Sequence, residues 1–131
     1  MAGEEAIDVV LVEDNEIFRE ALELMLEVTP GIRVVAAVGD GEEAVEICPG
    51  IDPDVVLVDY RLPGVDGVET TARIRRVCPN AAVVALSASV ERGEVAALLD
   101  AGAVACLTKD RGIGEIVGAI REAAGRSAPI R

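Results

Sequence analysis

The chain has 131 residues, 51% of them hydrophobic, and a formal net charge of −12. That length fits one domain with a true core, built from Val, Leu, Ile and Ala because there is one Phe, one Tyr and no Trp. So acidic a domain repels nucleic acid and anionic membrane, which argues against either as a direct partner.

The first predicted strand is Ile7 to Val12, and Glu13, Asp14 and Asn15 follow it. A helix comes next. Ile17, Phe18, Ala21, Leu22, Met25 and Val28 recur at helical spacing, with Glu16, Arg19, Glu20, Glu23 and Glu27 on the other side. The second strand, Ile32 to Val38, runs into Gly39 and Asp40. Asp40-Gly-Glu-Glu43 sets an acid three residues after an Asp, which is a helix start, and Pro49 after Cys48 reads as its stop. The third strand, Val55 to Val58, ends on Asp59. Asp66-Gly-Val-Glu69 repeats the helix start, and Pro79 after Cys78 repeats the stop. The fourth strand is Ala82 to Leu86, followed by Ser87 and Ser89, and Gly102 closes the next helix. The fifth strand is Val104 to Thr108, with Lys109 behind it, and Ile113, Ile116, Val117 and Ile120 mark the last helix. The domain is expected over residues 1–125, with 126–131 as a tail or the start of a linker.

These strands are Val-rich and mostly do not alternate, as strands buried on both faces do not. Five strand–helix units predict a doubly wound α/β fold, with a parallel sheet between helices and right-handed crossovers. Cys48, Cys78 and Cys106 are odd in number, far apart and without any His, so neither a zinc site nor a disulfide framework is expected. They read as small core residues. No run spans a bilayer, and the N-terminus has acids where a secretion signal has bases, so a cytoplasmic location is expected.

In an open α/β sheet, ligands bind at the carboxyl ends of the strands. The residues falling there are Glu13, Asp14, Asp59, Ser87 and Lys109. Each alone has an ordinary explanation. Asp59 opens turns well, Asp14 or Asn15 caps a helix, Ser87 or Ser89 caps the fourth helix, and a lone lysine is solvated. Lys109, however, is the only lysine beside eleven arginines, which suggests a place needing a compact ammonium. Three carboxylates on one edge repel and call for a cation. Oxygen-only ligands point to a hard ion, Mg²⁺. A carboxylate also forms acyl phosphates as a nucleophile. In that chemistry Lys109 neutralises phosphoryl oxygens and Ser87 donates to one. The first turn has no glycine and no G-x-x-x-x-G-K-[ST] occurs, which argues against the Rossmann and Walker nucleotide sites.

VLVEDN, DVVLVDYRLPGVDG, VVALSAS and GAVACLTKD stand in this order. Together they resemble a response-regulator receiver domain, most of all those of NarL/LuxR-type two-component regulators. The resemblance implies a flavodoxin-like (βα)5 fold with strand order 2-1-3-4-5. It implies Asp59 as phosphoacceptor, Asp14 as a direct Mg²⁺ ligand, Glu13 acting through water, and the backbone carbonyl of Arg61 as a further ligand. Ser87 is implied as the switch hydroxyl and Lys109 as the phosphate-contacting lysine. The implied donor is a sensor histidine kinase. The implied chemistry is limited to the domain's own phosphorylation and dephosphorylation, with no outside substrate. A homodimer is allowed, and transcription is implied through a helix-turn-helix domain that these residues do not include. One departure stands out: the family usually has Tyr or Phe three residues before the lysine, where this chain has Cys106. Alternatives are a stand-alone receiver acting as a phosphate sink, an unphosphorylated interaction module, and a phosphatase similar to haloacid dehalogenases. The last needs an acid two residues after its nucleophile, where this chain has Arg61.

Overall fold

A computed structural model describes residues 6–88 and 91–125. Five parallel strands form one sheet: β1 (Ile7–Val12), β2 (Ile32–Val38), β3 (Val55–Asp59), β4 (Ala82–Ser87) and β5 (Ala103–Thr108). Their order is β2-β1-β3-β4-β5, the flavodoxin-like order. Five helices alternate with them: α1 (Glu16–Glu27), α2 (Gly41–Ile51), α3 (Gly67–Val77), α4 (Arg92–Ala101) and α5 (Ile113–Ala123).

The pleat divides the core in two. Val9, Leu11, Leu57, Val84 and Leu86 face Leu22 and Leu26 of α1 and Ile116, Val117 and Ile120 of α5. Val10, Val12, Val56, Val58, Val83 and Ala85 face Ala44 and Cys48 of α2, Ile74 of α3 and Leu98 of α4. Helices therefore cover both faces, and the central strands are apolar without alternation for that reason.

Several boundaries differ from the sequence reading. Asp59 and Ser87 each lie on their strand rather than after it, and β5 starts one residue early at Ala103. Helix α2 passes through Pro49 to Ile51, and Asp52 (φ 56°) ends it by donating its N–H to Cys48 O at 2.7 Å. Pro49 has no N–H to offer Val45 O and its ring crowds that carbonyl, yet the helix runs two residues beyond it. On α1 the buried stripe is Leu22 and Leu26, whereas Ile17, Met25 and Val28 are exposed. Cys48 and Cys78 are core residues, but Cys106 is only partly buried. Ser89 and residues 126–131 fall outside the described residues.

Candidate functional site at the carboxyl edge

Parallel pairing aligns the strand ends. Val12 pairs with Val58 and Asp59 pairs with Leu86, so Glu13, Asp59 and Ser87 emerge side by side. Backbone bonds continue the ladder past the last pairs: Tyr60 N–H reaches Leu86 O and Lys109 N–H reaches Ser87 O, both at 2.8 Å. Beneath Asp59, α3 begins at Gly67. A Cβ there would stand 2.7 Å from Tyr60 Cα, so only glycine allows helix and strand to approach this closely.

Glu13 is 1% exposed and Asp59 4%, whereas Asp14 is open to solvent. Asn15, not Asp14, caps α1, its side chain accepting from Phe18 N–H at 2.9 Å. That leaves the Asp14 carboxylate free of capping duty. Glu13 Oε2 accepts the Asn15 N–H at 2.9 Å, and Arg19 Nη1 donates to Glu13 O at 2.7 Å. The turn is held from both sides.

Oxygens of Glu13, Asp14 and Asp59 lie within 4.8 Å of one another. Among the described residues this is the one acidic group so placed. Lys109 Nζ stands 2.8 Å from Glu13 Oε1 and 3.2 Å from Asp59 Oδ2, the local counter-ion of both. Its ammonium also lies 4.8 Å from the centre of the Phe18 ring, a cation–π contact. Burial pulls the Lys109 pKa down, but Glu13 and Asp59 outweigh it and hold the value above the ordinary one. Burial, then the charge of Glu13, push the Asp59 carboxyl from 3.8 to about 6, against the pull of Lys109 and the Arg61 N–H. That N–H approaches Asp59 Oδ1 at 3.4 Å.

The donor set is oxygen only, and two of its members are buried carboxylates held close together. A small, hard divalent cation fits such a set. Glu13, Asp14, Asp59, Arg61, Ser87 and Lys109 all lie at this one edge. Ser87 differs in its bonding: its Oγ donates to Glu94 Oε1 at 3.2 Å. It does not cap α4, whose N-cap is Glu91 without a side-chain bond. The sequence marks no role for Glu94, and its periodicity places Phe18 only in the apolar stripe and Arg19 only on the outer face. Of these, only Phe18 carried a signal, as the single phenylalanine.

Residues 9–121 match the family model of the response regulator receiver domain, and the chain belongs to that family. It is 35% identical over 117 residues to the transcriptional regulatory protein LiaR of Bacillus subtilis, covering 89% of this chain and 56% of that protein. It is 36% identical over 116 residues to the nitrate/nitrite response regulator NarP of Escherichia coli, covering 88% and 54%. The chain thus spans about half the length of the curated relatives it matches. Among solved structures it resembles the signal receiver domain of NarL from Mycobacterium tuberculosis, with TM-score 0.88, 35% identity, and coverage of 93% of this chain and 98% of that one. It also resembles the receiver domain of the sensor histidine kinase PA1611 from Pseudomonas aeruginosa, with TM-score 0.82 and 31% identity, covering 92% and 98%. That domain holds a magnesium ion in its active site cleft. This chain is thus a two-component receiver of NarL/LuxR kind. Among its described residues no helix is long and apolar enough to cross a membrane.

Proposed function

We propose that Asp59 accepts a phosphoryl group from the phosphohistidine of a sensor kinase. The observation carrying this is the placement of a nearly buried carboxylate between two acids and the chain's only lysine. An Asp59 oxygen forms the new O–P bond while the P–N bond breaks, and the electron pair leaves with the imidazole. With its pKa at about 6, Asp59 is mainly ionised at neutral pH, as a nucleophile must be. Lys109 then turns from the carboxylates to a phosphoryl oxygen, and the Ser87 hydroxyl donates to another. Asp14, Asp59, the Arg61 carbonyl and, through water, Glu13 would hold Mg²⁺, which supplies positive charge to the phosphoryl oxygens. Nothing in this scheme turns over an outside substrate, so the domain serves as a signalling element and not as an enzyme.

The kinase needs a surface beside this site. Ile17, Leu24 and Val28 of α1 are 82%, 66% and 76% exposed, and such apolar patches mark partner contacts. Control of transcription would pass through an output domain of the kind carried by full-length regulators, in the cytoplasm. The domain boundary proposed is residue 125.

Intact-protein mass spectrometry with a small acyl phosphate and Mg²⁺ tests the assignment. Wild type should gain one phosphoryl group and Asp59→Asn none. An equal adduct on the variant would remove Asp59 from the role.

A further inference from the structure

The Ser87 hydroxyl has one proton to give. Glu94, when ionised, only accepts, and the Ser87 hydroxyl donates to its Oε1 at 3.2 Å. Glu94 is the third residue of α4, counted from Arg92. A glutamate there commonly reaches back to the N-cap N–H and closes its own helix start. Here it reaches to β4.

Among the described residues the start of α4 is lightly held. Its N-cap, Glu91, makes no side-chain bond, and Gly93 lies in the first turn. Its only fully buried residue is Leu98, a turn further on. The Ser87–Glu94 bond therefore fastens the first turn of α4 to the strand end beside Asp59. The same carboxylate is also felt by Cys106 on β5, whose thiol is pushed above its ordinary pKa by burial and then by Glu94. Cys106 pairs with Ala85, two residues before Ser87. Glu94 thus stands near both side chains at the far end of the site.

We propose that Glu94 is the positioning residue for Ser87, a latch that holds the hydroxyl in the resting state and is displaced when the hydroxyl turns to a phosphoryl oxygen on Asp59. This rests on the phosphoacceptor reading of Asp59. The hydroxyl cannot serve both acceptors with one proton. Phosphorylation therefore breaks the bond to Glu94 and frees the start of α4. The moving element is a glutamate on α4, which a side chain as small as Cys106 does not replace.

The test is the affinity for beryllium trifluoride with Mg²⁺, a phosphoryl mimic, read from the fluorescence of Tyr60, the only tyrosine and the neighbour of Asp59. Removing a contact made only in the resting state shifts the equilibrium to the bound one. Glu94→Ala should bind the mimic about fivefold more tightly, a modest coupling. Glu94→Gln keeps an acceptor and should fall between Glu94→Ala and wild type. In a Ser87→Ala background Glu94→Ala should change nothing. In the metal-free protein without mimic, Glu94→Ala should speed amide exchange over residues 92–98. Equal tightening by Ala and Gln, or tightening that survives in the Ser87→Ala background, would mean plain charge repulsion and would overturn the latch. Unchanged affinity and exchange would overturn it as well. If wild type bound no mimic, the phosphoacceptor reading would fall first and the latch with it.

Discussion

At the acidic corner of the site, the anchoring comes from the backbone. Asp59 sits on β3, Glu13 is tied to the Asn15 N–H, and Gly67 lets α3 close directly under the strand end. At the switch corner, the anchoring between β4 and α4 includes one side-chain bond, Ser87 to Glu94, and α4 begins without a side-chain cap. The first corner keeps like charges together on strand ends and a close helix–strand contact. The second must change when charge arrives, so it is held by something breakable. A receiver needs both, and the fold places them on neighbouring strands of one sheet.

The largest expected effect breaks the acidic corner through its counter-ion. Lys109→Ala leaves Glu13 and Asp59 facing each other without an ammonium. Stripping one partner from a buried pair costs about 3 kcal/mol or more while the rest stays charged. Asp59 ionises near pH 6 in the fold and near 3.8 ordinarily, so its ionisation opposes folding. That cost is absent at low pH, grows as pH rises, and is fully present above the folded value. The variant should therefore lose most stability near pH 8 and much less near pH 4, read by urea unfolding. Asp59→Asn should do the reverse, gaining about 1–3 kcal/mol near pH 8 and almost nothing near pH 4. If both variants shifted equally at the two pH values, charge would not govern this corner.

Gly67→Ala breaks the same corner without touching a charge. The added methyl meets the Tyr60 backbone, which cannot swing aside as a side chain would. Overpacking of this kind costs about 1–3 kcal/mol. The loss should be the same near pH 8 and pH 4, measured by urea unfolding. A loss that grew with pH would point to a displaced Asp59 carboxylate.

The sequence was most readable where its signals are local. The Val-rich runs placed five strands to within a residue, and Asp40 and Asp66 showed as caps because each partner, Glu43 or Glu69, lies three residues away. The site's roster followed from strand ends alone, since parallel pairing brings them together. Reading failed where tertiary packing decides. The α1 stripe included Ile17 and Val28 because apolar spacing marks a helix but not which stripe meets the sheet. Pro49 suggested a stop that one last turn overrode. Glu94 had no visible role, because a partner seven residues away across a loop leaves no periodic trace. Nor could Phe18 announce that it faces Lys109 from the other end of the chain.

Asp14→Asn sharpens the comparison within the acidic edge itself. Asp14 is exposed and spared from capping, so it is available to a metal, whereas Asp40 caps α2 through Glu43 N–H at 2.8 Å. Asn caps about as well as Asp, so Asp40→Asn should alter neither stability nor metal binding much. Asp14→Asn removes a charged ligand and should weaken Mg²⁺ binding by about tenfold or more, in keeping with the dependence of such sites on ligand charge. Calorimetric titration with Mg²⁺ compares the two. Equal losses would move the metal away from this edge.

The smallest effect is expected at Cys106. The side chain is partly buried on β5 and packs at the margin of the core. Burial, then Glu94, raise its thiol pKa, so it stays protonated and unreactive at neutral pH. Cys106→Ala removes one sulfur atom from a half-buried place, which should cost at most about 1 kcal/mol. If the switch corner works through Ser87 and Glu94, the variant should still respond to an acyl-phosphate mimic as wild type does, whatever that response is. Amide exchange over 92–98 with and without the mimic is the direct measure, and light scattering adds any change in association. A variant that still accepts phosphate on Asp59 but no longer alters α4 would make the thiol part of the switch. Glu94 would then be holding Cys106 as well as Ser87, and the switch corner would have two moving parts instead of one.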